Sequence, residues 1–221
     1  NAPPMIKDLI EALYYRIIPK GKTLKSNNNI LSNPSFQEVE LMMTQYSEKM
    51  KKIYYKTRPN PNTAVLYVSS IMTIRPWKWW PTGDIYDTTV QKPSHGELLR
   101  NAPKNMETVI YILFSVLVTS PGHIGALHYL IHAIEESPYP MLGLGAALAI
   151  QNTVNDLGHL VHMPSHIFSR LGMYYESIKQ NIKAIETDNQ FISYKKKNTK
   201  NNLLDSYYIV EYYAHNIHFL I

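Results

Sequence analysis

The chain's 221 residues carry 22 Lys and Arg against 17 Asp and Glu, a net charge of +5, and 45% are hydrophobic and 18% charged. With 9 Gly and 14 Pro it is neither collagenous nor disordered, and it can bury a sizeable core. The absence of cysteine excludes disulfides, thiolate catalysis and Cys-ligated metal sites.

Four of the basic residues, Lys195, Lys196, Lys197 and Lys200, crowd into an Asn-rich stretch that reads as a solvated loop and not as a nucleic-acid groove. No nucleic acid is therefore expected as a partner. The longest apolar run, Val109 to Val118, is shorter than the roughly 18 residues a membrane span needs. The chain starts at Asn1 with neither Met nor a signal pattern, so a trimmed N-terminus is expected.

Pro3 and Pro4 open a helix whose apolar positions Met5, Ile6, Leu9, Ile10 and Leu13 recur at helical spacing to about Ile18, where Pro19 and Gly21 stop it. After a polar linker over 27–33, Ser35 caps a second helix with Phe36, Val39, Met42, Met43, Tyr46, Met50, Ile53 and Tyr54 on one stripe, ending near Pro59. Asn62 or Thr63 caps a third, Ala64 to Ile74, closed by Pro76 and the aromatic group Trp77, Trp79 and Trp80, read as packing. Between Pro81 and Pro103 the pattern breaks, with a helical turn expected at Glu97 to Arg100.

Met106 to Val118 is apolar nearly all round, which predicts burial on most sides. Helices follow over Gly125 to Glu136 and Leu142 to Thr153, then a helical region from Leu157 to Asp188 divided at Gly172. No period-two alternation appears, so the fold class is all-α. The segment from Leu171 through Ile178, with Lys183 to Glu186 and Asp188, resembles the second half of a tetratricopeptide unit, whose period is 34 residues. Ser177 and Asn189 stand where that unit usually has Ala and Pro. The expected architecture is a single tetratricopeptide-like helical-repeat domain, an α-solenoid over 1–221, with its functional part in 121–221.

Eight of the nine histidines lie from His123 onward, and only His95 precedes them. His128 and His162 are one 34-residue period apart, as are His132 and His166, which predicts two neighbouring first helices. His128, His132 and Glu135 share a helix face, while Pro164, read as a helix start, leaves His159 and His162 in an approach loop. Imidazoles with a carboxylate suit a transition metal ion (zinc, copper, iron or nickel) better than magnesium or calcium. Glu135, Glu136 and Glu211 are the candidate carboxylates, as ligands, as groups orienting a ring, or as a general base. A duplicated polar network, with imidazoles bonded to one another, to Tyr129 or to backbone, is the competing reading.

The strings HIGALHYLIHAIEESPYP, GHLVHMPSHIFSRLGMYYESIKQNIKAIETD and YYAHNIHFL together resemble a little-characterised family of large tetratricopeptide-like proteins with HPGAxHYxIHxxExSxxP, GHLxHMPSHIxxRxGxY and HNxHFL signatures. Ile124 stands where that family has Pro. The resemblance implies further helices ahead of Asn1 and a functional pocket built from His123, His128, His132, Glu135, His159, His162, His166, His215 and His218. Two functions remain open. One is a metal site, which in a metalloenzyme would use Glu135 as acid or base and Arg170 or Tyr129 to bind a small-molecule substrate. The other is a scaffold whose groove binds a partner peptide.

Overall fold

The computed structural model describes residues 3–17, 34–80, 102–198 and 208–220; the expected turn at Glu97 to Arg100 and the linker over 27–33 lie outside them. Among the described residues all regular structure is helical, with no strand, and no helix is long and apolar enough to cross a membrane. The chain divides into two compact units, one from 1–81 and 102–125 and one centred on 126–221.

In the first unit, α1 (Pro4–Ile17), α2 (Phe36–Thr57), α3 (Pro61–Met72) and α4 (Lys104–Thr119) pack each against the next. The ion pairs Lys49–Glu11 and Lys56–Asp8 join rising with falling numbers, as do the hydrogen bonds Thr57–Thr63 and Ser47–Ser70, so α1, α2 and α3 alternate in direction. The expected cap at Ser35 is present as a full capping box with Glu38. For α3 the cap is Asn60, whose side chain accepts from Asn62 and Thr63 N–H. Pro61, which has no N–H to satisfy, then takes the first helical position. Helix α4 is less enclosed than its composition predicts, because Tyr111 and Val118 are exposed. Of the tryptophans, Trp80 is buried, Trp79 donates to the Met72 carbonyl and Trp77 is exposed.

The second unit contains α5 (Ile124–Glu135) from Ala126 onward, a 3-10 turn (Pro140–Gly143), α6 (Leu144–Thr153), α7 (Gly158–His162), α8 (Pro164–Arg170) and α9 (Tyr174–Asn198). A π-helical turn (Ile209–Tyr213) then leads into α10 (Ala214–His218). Helix α9 packs against α7, α8 and α10, and α6 against α8. Gly143 lets the 3-10 turn approach Ile167, whose side chain occupies the space a Cβ would need.

Between α8 and α9 the chain reverses at Gly172, at φ +71. Met173 N–H bonds Phe168 O at 2.8 Å and Gly172 N–H bonds Ser169 O at 3.2 Å, the paired closing bonds of a Schellman turn that requires the left-handed residue. The helix continues to Asn198, ten residues past the expected end at Asp188, and takes Lys195 to Lys197 out of the predicted loop.

The stripe that α9 turns inward is polar: Ser177, Gln180, Asn181 and Asp188 are buried, with Ala184 their apolar member. Tyr174, Tyr175, Ile178 and Ile182 are exposed. This inverts the usual amphipathic rule, and the reason lies in what the inward face touches.

Candidate metal centre

Pro164 explains how three histidines come to share one face. Its missing N–H breaks the helical ladder, and the surrounding bonds, Met163 N–H to Leu160 O and His166 N–H to Met163 O, both 3.3 Å, span three residues instead of four. Because Met163 keeps helical dihedrals, α7 and α8 form a kinked helix rather than a loop followed by a start. His159 and His162, expected in an approach loop, therefore lie on α7, three residues apart, with His166 one turn further on.

Helix α5 lies beside this kinked helix at a constant offset. The His132 and His166 rings are 5.1 Å apart, and Arg170 donates from Nε to Glu135 O at 2.8 Å and from Nη2 to Ser137 O at 3.5 Å. Offsets of 33 to 35 residues at both ends mean that α5 and α8 run in the same sense. Arg170 thereby satisfies carbonyls at the end of α5, where Glu135 projects.

Glu135 is the hinge of the site. Its Oε1 accepts from His132 Nδ1 at 2.7 Å, and its Oε2 lies 2.5 Å from His166 Nδ1, off the axis of that N–H. Burial alone pushes this carboxyl upward, but contact with the two imidazoles outweighs it and holds the group at about 2. Glu135 is thus an anion, and the ring nitrogens facing it carry the protons.

His162 is fixed from the other side. Asn181 donates from Nδ2 to the Phe219 carbonyl at 3.1 Å, which turns its Oδ1 toward His162 Nδ1 at 2.6 Å. An amide oxygen only accepts, so His162 Nδ1 is the N–H. Ser165 Oγ lies 3.1 Å from the same nitrogen. Burial, then the neighbouring imidazoles, push His162 well below its ordinary value, and a neutral ring with its proton on Nδ1 has a bare Nε2. The Nε2 of His166 faces it at 2.9 Å. At that distance the two nitrogens share either a proton in an N–H···N hydrogen bond or a metal ion.

Two further buried nitrogens, His159 Nδ1 and His215 Nε2, have no hydrogen-bond partner, a costly condition for a buried polar atom. His128 and His159 approach through their Nε2 atoms at 3.2 Å. Burial and the surrounding imidazoles press His128 to about 2, His159 to about 3 and His215 to about 4, and lower His132 as well. The site favours neutral rings, the form that binds metals. Ligand atoms lie within 4.8 Å of one another in three groups: His128, His132 and His159; His162, His166 and His215; and His132, Glu135 and His166. These buried histidine groups can hold a metal ion.

Phe219 closes one side, 4.5 Å from the His166 ring and 4.8 Å from that of His162. Tyr129 lies 4.8 Å from His128 and Tyr212 5.2 Å from His159. The C-terminal segment that carries His215 and Phe219 is anchored by buried Asp188, which accepts from Tyr208 at 2.5 Å and Asn216 at 2.7 Å. A Cβ at Gly158 would overlap that carboxylate.

Of the eight histidines expected at the site, six converge. His123 belongs to the first unit, where its ring bonds Asn62 at 3.1 Å. His218 is exposed with its ring beside Phe219, whereas His215 on the same short helix is half-buried against the His162 and His166 rings. Glu211 is exposed too. Sequence reasoning missed Asn181 and Asp188, although the polar inward stripe of α9 was there to be read. Neither a protein-family model, nor a curated protein, nor a solved structure matches the chain.

Proposed function

We propose that this protein binds a late first-row transition metal, copper, zinc or iron, through the imidazole nitrogens of a helical-repeat domain, and that it belongs to the tetratricopeptide-like family whose histidine signatures it carries. The observation carrying the metal reading is the approach of the Nε2 atoms of His162 and His166 to 2.9 Å, with His162 Nδ1 held by Asn181 and His166 Nδ1 beside the Glu135 carboxylate. A metal–nitrogen bond of about 2.0–2.1 Å sets neighbouring donors about 2.9 Å apart at a right angle and about 3.3 Å apart at the tetrahedral angle. Both this pair and the His128–His159 pair at 3.2 Å fit those edges.

Glu135 serves as the carboxylate that orients ligating imidazoles, the arrangement that fixes a ring's tautomer and raises its basicity. The bound ion would supply Lewis acidity or redox chemistry. Arg170 holds the end of α5 and, with Glu135, remains the candidate for work on a small-molecule substrate. The repeat reading is supported by the 33-to-35-residue offset of α5 against α8 and by the glycine turn into α9.

Equilibrium dialysis against zinc and copper tests the proposal on the wild type, His162→Ala, His166→Ala and His218→Ala. Strong binding by the wild type and His218→Ala, with marked loss in the other two, is expected. Equal binding by all four proteins, or none by any, overturns the metal reading and leaves a peptide-binding scaffold.

A further inference from the structure

The six converging imidazoles do not gather around one point. Their donor atoms fall into two groups of three, His128 with His132 and His159, and His162 with His166 and His215, each with all its ligand atoms within 4.8 Å. A single octahedral ion would need all six donors within about 4.2 Å of one another, given bonds of about 2.0–2.1 Å. Among the described residues no such group of six exists.

Each triad contains one close nitrogen pair at a ligand-edge distance, 3.2 Å in the first and 2.9 Å in the second. Buried nitrogens without a hydrogen-bond partner occur in both, His159 Nδ1 in the first and His166 Nδ1 and His215 Nε2 in the second. The two are joined by one carboxylate: Glu135 touches His132 of the first triad through Oε1 and His166 of the second through Oε2. Those two rings and Glu135 form a third close group, its ligand atoms within 4.8 Å of one another, that links the triads.

Resting on the metal reading above, we infer that the site is dinuclear, with one divalent late first-row ion held by His128, His132 and His159, a second by His162, His166 and His215, and Glu135 bridging their ligands from behind. Three imidazoles per ion leave each a coordination position open, the condition for a catalytic rather than a structural centre. The single negative charge of Glu135 would stand behind one ligand of each dication and lower their mutual repulsion. The sequence bears the same division. The first triad takes two of its members from α5 and one from α7, and the second takes one each from α7, α8 and α10, so the two centres meet along the kinked helix that spans Pro164.

Metal content measured by plasma mass spectrometry after equilibrium dialysis against zinc, on the untagged full chain, decides the matter. Two equivalents per chain are expected for the wild type and one for each of His128→Ala and His215→Ala. With copper, the two-equivalent form should show an electron paramagnetic resonance signal broadened by the dipolar coupling of two nearby ions, and the one-equivalent variants should not.

One equivalent in the wild type overturns the dinuclear inference and leaves the metal reading standing, whereas none defeats both. Two equivalents that neither substitution reduces would place the second ion elsewhere and also overturn the inference. Should a variant fail to fold by circular dichroism, the wild-type stoichiometry and the broadening of its copper signal decide alone.

Discussion

Replacing Glu135 with Gln is the smallest change that separates an orienting carboxylate from a merely structural one. The amide keeps the size of the side chain but has one acceptor where the carboxylate has two. One of His132 and His166 can still donate to it; the other finds an NH2 group opposite its own Nδ1–H. That ring escapes the donor–donor clash by moving its proton to Nε2, which removes the lone pair a metal would use.

Loss of such a partner typically lowers metal affinity 10- to 100-fold, or about 1.4–2.7 kcal/mol. The metal-free protein should lose roughly 1.5–3 kcal/mol, the range for a hydrogen bond to a charged group, offset in part because a buried charge disappears with it. Competition with a chromophoric chelator reads the first quantity and a urea titration of the apo-protein the second. Unchanged affinity in Glu135→Gln would refute the orienting role. A loss of stability with metal affinity intact would make Glu135 a packing residue.

Acid should unfold the metal-free protein early. His128, His159 and His215 are held at about 2, about 3 and about 4, below the 6.5 of a free imidazole, so the unfolded chain takes up protons first. Stability is then complete above about pH 6.5 and falls as pH drops from there toward 4 and below. At pH 5 each of His128 and His159 contributes a loss of about 2 kcal/mol, from 1.36 kcal/mol per pH unit; the more open His215 contributes less. Denaturant midpoints between pH 8 and 5 check this, and a flat profile would contradict the neutral-ring description. At the α8–α9 turn, Gly172→Ala meets no atom within 4 Å, so its cost is the left-handed backbone alone, about 1–2 kcal/mol. A melting temperature within a degree of wild type would show that the turn relaxes.

The helices were largely legible in the sequence because Ser35, Pro61, Gly172 and the apolar stripes act locally. The convergence of His128, His132 and His166 was legible from the 34-residue register, since a repeated spacing on parallel helices is a statement about space. Pro164 misled because the same residue can begin a helix or kink one, and the difference depends on whether Met163 stays helical. The place of His215 depends on Asp188 and Asn216, partners that are distant along the chain and carry no local signal. His123 and His218 share the composition of the cluster but not its geometry. Spacing separates neither, because exposure to solvent and membership of another unit are tertiary facts.

Anomalous diffraction from crystals grown with zinc or copper, collected on both sides of the metal absorption edge, tests the central claim most directly. The account predicts a peak about 2.0–2.1 Å from both His162 Nε2 and His166 Nε2, with the Nδ1 atoms of these rings still on Asn181 and Glu135. A metal-free centre in which a proton joins those two Nε2 atoms, or a peak bound only to surface residues such as His218, would contradict it.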